Sequence, residues 1–452
     1  MSQLVRDRVR VALEAALNAA QDDGVLPRVP ATEIAVERPQ KPEHGDYATS
    51  VALRLAGTVK RKPLEVAEAI AARVETGAMI EATEATPPGF INVRLADSWK
   101  RDQVETILSA GEAWGNLDIG EGRKLQVEYV SANPTGPLQV GNGRGAVLGD
   151  VLANVLAAAG YAVQREYYLN DAGAQTRTFT ASLYARYQQQ LGREAALPED
   201  GYQGAYVVDV ARRIAEEAGD AFLRGEGDPP PQELAERGLA MMVEQIRDDL
   251  GLLGVAFDGW FSERSLYVTP EGAHAVSAYE ATMERLRAGS YVVENEGAVW
   301  FASKKLGEEK DEVLVRRTGE PTYFASDVAY HYDKFVLRSF ERVIDVWGSD
   351  HQGHVARTQA AVEAVGGPPG GLEVLLYQLV HLRRGGERVR MSKRTGEIVT
   401  LRELVQEVGK DVTRFFLLQR SADAQMDFDL ELATSQDPKQ NPVSYVQYAH
   451  AR

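Results

Sequence analysis

The sequence predicts an α/β protein built on a parallel sheet, with a smaller α+β module before it and a helical extension after it. Two observations carry the prediction. Leu125 to Val130 has the β-branched and aromatic content of a buried strand, and a helical apolar period follows through Val147, Leu148, Val151, Leu152, Val155 and Leu156; residues 161–169 then read as a second strand. Strand, loop, helix, strand is a βαβ unit, whose strands lie parallel in one sheet. The second observation is length: 452 residues exceed one ordinary core, so two to four domains are expected.

In chain order, residues 1–120 read as the α+β module. Helical periods over 4–20 and 63–74 flank Lys41-Pro-Glu-His-Gly-Asp-Tyr47, a loop punctuated by Pro and Gly, and residues 87–94 alternate like a strand. Lys41, Lys60, Arg61 and Lys62 are candidates for a basic surface, although ordinary solvated charge explains them equally well. Residues 121–380 form the sheet domain. Within it Gly160 suits a helix C-cap, Asn170-Asp-Ala-Gly173 a turn, and residues 179–256 a helical insertion broken by a loop at 225–231. Strand-like segments return at 297–302, 313–316, 322–324, 343–347 and 373–379. Residues 381–436 read as a glycine-bracketed mobile loop followed by helices over 401–408 and 411–419, and residues 437–452 as the start of a further helix.

Composition narrows the class. Hydrophobic content of 44% and charged content of 26% are globular values. No run of 18 or more apolar residues spans a membrane, and residues 1–26 read as a charged amphipathic helix rather than a leader. The absence of cysteine excludes disulfides, thiolate zinc sites and a Cys nucleophile, and suits the cytoplasm. A net charge of −16 argues against indiscriminate nucleic-acid binding, so any such partner is met by local basic patches.

Two stretches carry chemistry. Gly141-Asn-Gly143-Arg-Gly145-Ala146 fits a dinucleotide fingerprint formally, but residues 131–139, with two prolines, separate it from the strand it should follow at once. A helix N-terminus that binds phosphate is the better reading, with Gln139 and Asn142 as further donors. That the glycines only let the helix pack closely on the sheet is the weaker reading, given their number. The second stretch is Arg383-Arg-Gly-Gly-Glu-Arg-Val-Arg-Met-Ser-Lys-Arg-Thr-Gly396, in which six of fourteen residues are basic. A mobile cationic loop suits a polyphosphate whose charge grows in the transition state; a solvated loop or an RNA-backbone contact are the alternatives.

Pro137-Leu-Gln-Val-Gly-Asn142 stands where class I aminoacyl-tRNA synthetases have their HIGH tetrad, and Arg390-Met-Ser-Lys-Arg394 resembles their KMSKS loop. Six phrases, in order, resemble bacterial arginyl-tRNA synthetases: Ser131-Ala-Asn-Pro-Thr-Gly-Pro-Leu138, Asn170-Asp-Ala-Gly173, Thr322-Tyr-Phe-Ala-Ser-Asp-Val-Ala-Tyr330, Val346-Trp-Gly-Ser-Asp-His351, Met426-Asp-Phe-Asp429 and Tyr445-Val-Gln-Tyr-Ala-His-Ala-Arg452. The resemblance runs through nearly the whole chain. It implies a Rossmann-type catalytic domain, a tRNA-contacting N-terminal module, and a cytoplasmic monomer acting on L-arginine, ATP with Mg2+, and tRNA(Arg), with no structural metal. It also implies roles. Glu263 and Asp327 take the guanidinium, Tyr323 packs beside it, and Glu128 and Asn133 hold the amino-acid end. Gln139, Gly141, Asn142, Gly348, Asp350, His351, His354, Arg390, Met391, Ser392 and Lys393 bind ATP, with Gln139, Asn142 and Lys393 catalytic. His351 and His354 by themselves are also compatible with a metal site.

The chain departs from the family pattern in two places. The tetrad Gln139-Val-Gly-Asn142 has no histidine; each replacement keeps a neutral donor. Loss of one transition-state hydrogen bond costs ~3 kcal/mol, and a replacement that retains a donor costs less, so a working but slower enzyme is expected. The family's helical anticodon-binding domain is expected to be missing after residues 445–452. Two other readings stay open: a catalytically weak or inactive paralogue that binds arginine or tRNA, and an NAD-linked dehydrogenase.

Overall fold

The computed structural model describes residues 4–30, 32–225, 227–271, 275–389, 399–435, 437 and 439–452. The chain divides into two compact units, residues 1–119 with 158–160, and the remainder.

The first unit runs α1 (Val5–Asp22), β1 (Tyr47–Thr49), α2 (Val51–Val59), α3 (Pro63–Ala71), β2 (Ile80–Thr86), β3 (Phe90–Leu95) and α4 (Asp97–Ala110). Its antiparallel sheet has the order β1-β3-β2. Val9, Leu13, Leu17 and Ala20 form the apolar stripe of α1 and pack with Leu55, Ile70, Ile91 and Val93. Helix α2 has no expectation in the sequence reading: it is short and has no capping side chain, so neither a start signal nor a long period marks it.

The second unit is organised around β4 (Lys124–Tyr129), α5 (Val140–Ala158) and β5 (Ala162–Leu169). The insertion follows as α6 (Gly173–Gln190), α7 (Ala205–Ala218) and α8 (Gln232–Leu252), with a core of its own that includes Phe179, Leu183, Tyr187, Val207, Ile214 and Met242. Next come β6 (Gly259–Ser262), α9 (Ala278–Ala288), and an antiparallel sheet of β7 (Val292–Asn295), β8 (Ala298–Phe301) and β9 (Glu312–Val315). The chain returns through α10 (Tyr323–Tyr332), β10 (Arg342–Gly348), α11 (Val355–Ala364) and β11 (Leu372–Tyr377). It closes with β12 (Val380–Arg384), β13 (Glu387–Arg388), α12 (Leu401–Val408), α13 (Lys410–Leu418), β14 (Met426–Asp429), α14 (Leu430–Thr434) and α15 (Val443–Ala451).

The central sheet has the order β11-β10-β4-β5-β6, and every neighbouring pair is parallel. Leu125, Val127, Val147, Ile344 and Val346 belong to its core. From β4 the chain first steps outward through β5 and β6, then returns to lay β10 on the other side of β4. Open parallel sheets bind ligands at such a reversal, outside the carboxyl ends of the strands.

Two expectations are corrected. Residues 322–324 are not a strand: Thr322 caps α10, its hydroxyl accepting the Ala325 N–H, and only Pro321 bridges back to Val315. The Thr-Tyr-Phe run has strand composition, but the cap decides. Nor is 383–396 a loop from its first residue. Gly385 and Gly386, at φ 61° and 78°, turn the β12–β13 hairpin. Arg383 and Arg384 are ion-paired there to Asp427 at 2.9 Å and Glu407 at 2.7 Å.

Candidate active site

Three carboxylates converge on the carboxyl side of the central sheet. Glu128 stands at the end of β4, Glu263 directly after β6, and Asp327 one turn into α10. Burial pushes Asp327 up to about 7; His331 opposes the shift, while Glu263 and Glu128 add to it. Burial also raises Glu263, against a hydrogen bond from Ser326 and with Asp171 adding repulsion. Glu263 Oε2 is buried without a hydrogen-bond partner, and among the described residues neither Glu263 nor Asp327 has an ion pair. Glu128 differs. Its Oε2 lies 2.5 Å from the Lys334 ammonium and its Oε1 accepts the Ser131 hydroxyl at 2.8 Å. A half-satisfied, low-dielectric acidic pair of this kind calls for a planar cation.

Local structure aims these groups. Val130 and Ser131 leave β4 at φ 70° and 41°, a left-handed path that a β-branched residue adopts only where the surroundings impose it. The turn Asn170-Asp-Ala-Gly173 is the clamp. Asn170 Nδ2 donates to Ser131 O at 3.2 Å, and Asp171 accepts the Ser262 hydroxyl at 2.5 Å and the Arg264 N–H at 3.2 Å, fixing both sides of Glu263. Gly173, at φ 85°, passes beneath Tyr323, whose hydroxyl would lie 3.2 Å from an added Cβ. Tyr323 itself is half exposed, and Asn133 donates to Gln175 Oε1 at 2.7 Å.

Helix α5 starts at Val140, earlier than the apolar period suggests, so its glycines are helical. A Cβ on Gly143 would stand 2.7 Å from Leu401, on Gly145 2.8 Å from Tyr377, and on Gly149 2.2 Å from Tyr129; on Gly141 it meets nothing within 4 Å. Three of the four glycines therefore serve close packing, which corrects the weight given to a ligand role. Gly141 is left in the first turn, where backbone N–H groups lack intrahelical partners. Asn142 Oδ1 accepts the Gln139 N–H at 2.9 Å, which leaves its amide NH2 as the outward donor.

Of the residues that the resemblance assigns to ATP, Gly348, Asp350, His351 and His354 sit at and past the end of β10. Gly348 ends the strand and Ser349–His354 forms a 3-10 turn. Trp347 and His351 rings lie 6.1 Å apart, His351 and His354 5.7 Å. Burial, Arg357 and His351 push His354 below its ordinary range. Among the described residues no group of three ligating side chains that could hold a metal ion forms. Arg390, Met391, Ser392 and Lys393 lie outside the described residues.

Sequence reasoning missed Lys334, Tyr168 and Arg144. Tyr168 has a buried hydroxyl without a partner; burial raises its phenol, and Glu263, Asp327 and Glu128 raise it further. Arg144 is fully buried and donates to the carbonyls of Gln378, Ala424 and Ser421 at 2.7, 2.9 and 2.8 Å. It joins the α5 N-terminus to the segments entering β12 and β14.

A parallel sheet with a strand-order reversal, and with Glu128, Glu263 and Asp327 gathered at the carboxyl ends of its strands, is the arrangement expected of a class I tRNA synthetase catalytic domain. Residues 103–426 match the family model for the catalytic domain of class I (R) tRNA synthetases, and residues 6–95 that for the arginyl tRNA synthetase N-terminal domain. The chain belongs to the arginyl-tRNA synthetase family. It is 50% identical over 448 residues to an arginine–tRNA ligase of Dehalococcoides mccartyi, covering 99% of this chain and 79% of that one. It is 48% identical over 450 residues to one of Heliobacterium modesticaldum, covering 100% and 78%. The solved Thermus thermophilus arginyl-tRNA synthetase shares the fold, with a TM-score of 0.63 at 21% identity over 99% of this chain and 81% of that one. Nothing in these comparisons favours the non-catalytic paralogue.

Proposed function

We propose that this chain is an arginine–tRNA ligase. It joins the carboxylate of L-arginine to the α-phosphate of ATP with release of pyrophosphate, then transfers the arginyl group to the 3′ end of tRNA(Arg). The observation that carries the reading is the pair Glu263 and Asp327 at the carboxyl end of the sheet: Glu263 is buried with one oxygen lacking a hydrogen-bond partner, and neither carboxylate has an ion pair among the described residues.

In this reading the guanidinium lies between Glu263 and Asp327, with Tyr323 against it, and Glu128 and Asn133 hold the amino-acid end. ATP enters as its Mg2+ complex over Gly348, Asp350, His351 and His354, with its phosphates toward Gln139, Gly141 and Asn142. Arg390, Met391, Ser392 and Lys393 add donors, Lys393 meeting the charge that grows on the phosphates. Residues 1–120 contact the tRNA, 121–380 are catalytic, 381–436 carry the basic loop, and 437–452 lead toward anticodon recognition. We place it in the cytoplasm as a monomer; separately, among the described residues no helix is long and apolar enough to cross a membrane.

Arginine-dependent ATP–pyrophosphate exchange, with and without tRNA(Arg), tests this on the chain and on Gln139→His/Asn142→His. Exchange in the unaltered chain is expected. Its absence from both, in protein that folds, overturns the reading.

A further inference from the structure

Lys334 is wholly buried, on the π-helical turn Asp333–Leu337 that continues α10. Its ammonium lies 2.5 Å from Glu128 Oε2 on β4, 2.9 Å from Asp345 Oδ1 on the neighbouring β10, and 4.2 Å from the Tyr330 ring centroid. Burial works against its charge, but Asp345 and Glu128 outweigh burial. Asp345, though burial opposes its ionisation, is held at about 2 by Lys334 and His331. π-turns of this kind gather at functional sites, and here one continuous element carries both a pocket carboxylate, Asp327, and the cation that neutralises its neighbour.

The electrostatic problem is one of number. Glu263 and Glu128 raise the proton affinity of Asp327, and a single arginine side chain brings one positive charge. Three ionised carboxylates around one guanidinium would leave the excess buried and unpaired, which neutralises itself by taking up protons. The charged groups around Asp327 are few. Glu263 comes from the turn after β6, Glu128 from β4, His331 from its own helix and Arg357 from α11. Arg357 is itself bonded to Glu312 at 2.8 Å.

We propose that Lys334 is a positioning residue that sets the specificity of the arginine site: it takes one oxygen of Glu128 into an internal ion pair, keeping that carboxylate at the amino-acid end, and leaves Glu263 and Asp327 as the pair that meets the guanidinium. This rests on the arginine reading above. Without the Lys334 cation, Glu128 either stays ionised, and its bare charge raises Asp327 further, or takes up a proton and no longer holds the amino-acid end; either way a carboxylate that arginine needs is lost near neutral pH. Loss of Lys334 also removes a cation that repels arginine. Arginine affinity therefore falls near neutral pH and returns as pH rises, whereas a merely structural lesion weakens binding at every pH.

The test is calorimetric titration of L-arginine into the full chain from about pH 6 to about pH 8.5, for wild type, Lys334→Arg, Lys334→Met and the charge-balanced Lys334→Met/Asp345→Asn. Lys334→Met is expected to bind about tenfold more weakly at pH 7 and to recover at the alkaline end, its acid limb moved up by about one pH unit. The double variant moves the same way, and Lys334→Arg stays near wild type. Discrimination against L-citrulline, the neutral isostere, narrows in Lys334→Met at pH 7. Unchanged affinity, a loss equal at every pH, or failure of both Met variants to fold overturns the assignment. Failure of the wild type to bind arginine at any pH overturns the arginine reading instead.

Discussion

Asn142 Oδ1 accepts the backbone N–H of Gln139 at 2.9 Å. The two positions that replace the family's histidines are thus tied to each other. The tie orients the Asn142 amide, so its NH2 is presented without a rotamer search. Asn142→Ala loses both the tie and the donor, and pyrophosphate exchange is expected to slow by roughly 10²–10³-fold, as for other transition-state donors. Asn142→Asp keeps the acceptor but sets a negative charge against phosphate, and slows exchange further. Equal rates for wild type and Asn142→Ala would remove Asn142 from the catalytic group.

The α5 glycines divide sharply. Gly149→Ala places a methyl 2.2 Å from the Tyr129 ring, an overpacking that costs about 1–3 kcal/mol. Gly141→Ala meets open space and is neutral or stabilising by up to about 1 kcal/mol, the helix propensity difference. Urea unfolding of the two variants separates them in sign.

Asp327 stands at about 7 because it is buried beside Glu263 and Glu128. Its folded value lies above the ordinary 3.8, so its contribution to stability falls as pH rises from 3.8 to about 7 and is fully lost above that. Asp327→Asn is therefore expected to raise stability at pH 8, by ~2 kcal/mol, while abolishing arginine affinity. In wild type, arginine affinity falls as pH drops below about 7. Thermal melts across pH 6–8 with and without arginine read both effects, and a destabilised Asp327→Asn would refute the account.

Arg144 satisfies three carbonyls from a fully buried position. Arg144→Met leaves all three without that donor, at roughly 3 kcal/mol or more. Equilibrium unfolding measures it, and Arg144→Lys, with three donors but no planar fork, recovers only part.

The central βαβ unit was legible because Leu125 to Leu169 alternates between two clear periods with a glycine stop between them. The insertion and α12 were legible for the same reason. Thr322-Tyr-Phe was misread because propensity sees β-branched and aromatic residues, while the hydroxyl cap that starts α10 acts through one hydrogen bond. Gly143 and Gly145 were over-credited with ligand binding because their neighbours Leu401 and Tyr377 are distant in sequence. Lys334 could not have been found. It reads as an ordinary polar helix end, and its partner Glu128 is 206 residues away. The resemblance singled out Glu263 and Asp327, yet that neither has an ion pair among the described residues is a fact of three-dimensional placement.

Asp171 grips Ser262 and, through its carbonyl, Arg264 Nε at 2.7 Å. The excursion between them, α6, α7 and α8 included, is closed at its base by this clasp, and Tyr202 and Tyr206 also donate to Thr135. Closing a longer excursion costs only about 0.6 kcal/mol per doubling of its length. Segments can be added to or trimmed from this lobe while the clasp holds residues 262–264 still. Changes in length farther along this lobe, beyond Gly173 and Gln175, leave the pocket's own contacts in place, so that part of it can diversify without retuning the enzyme's choice of amino acid.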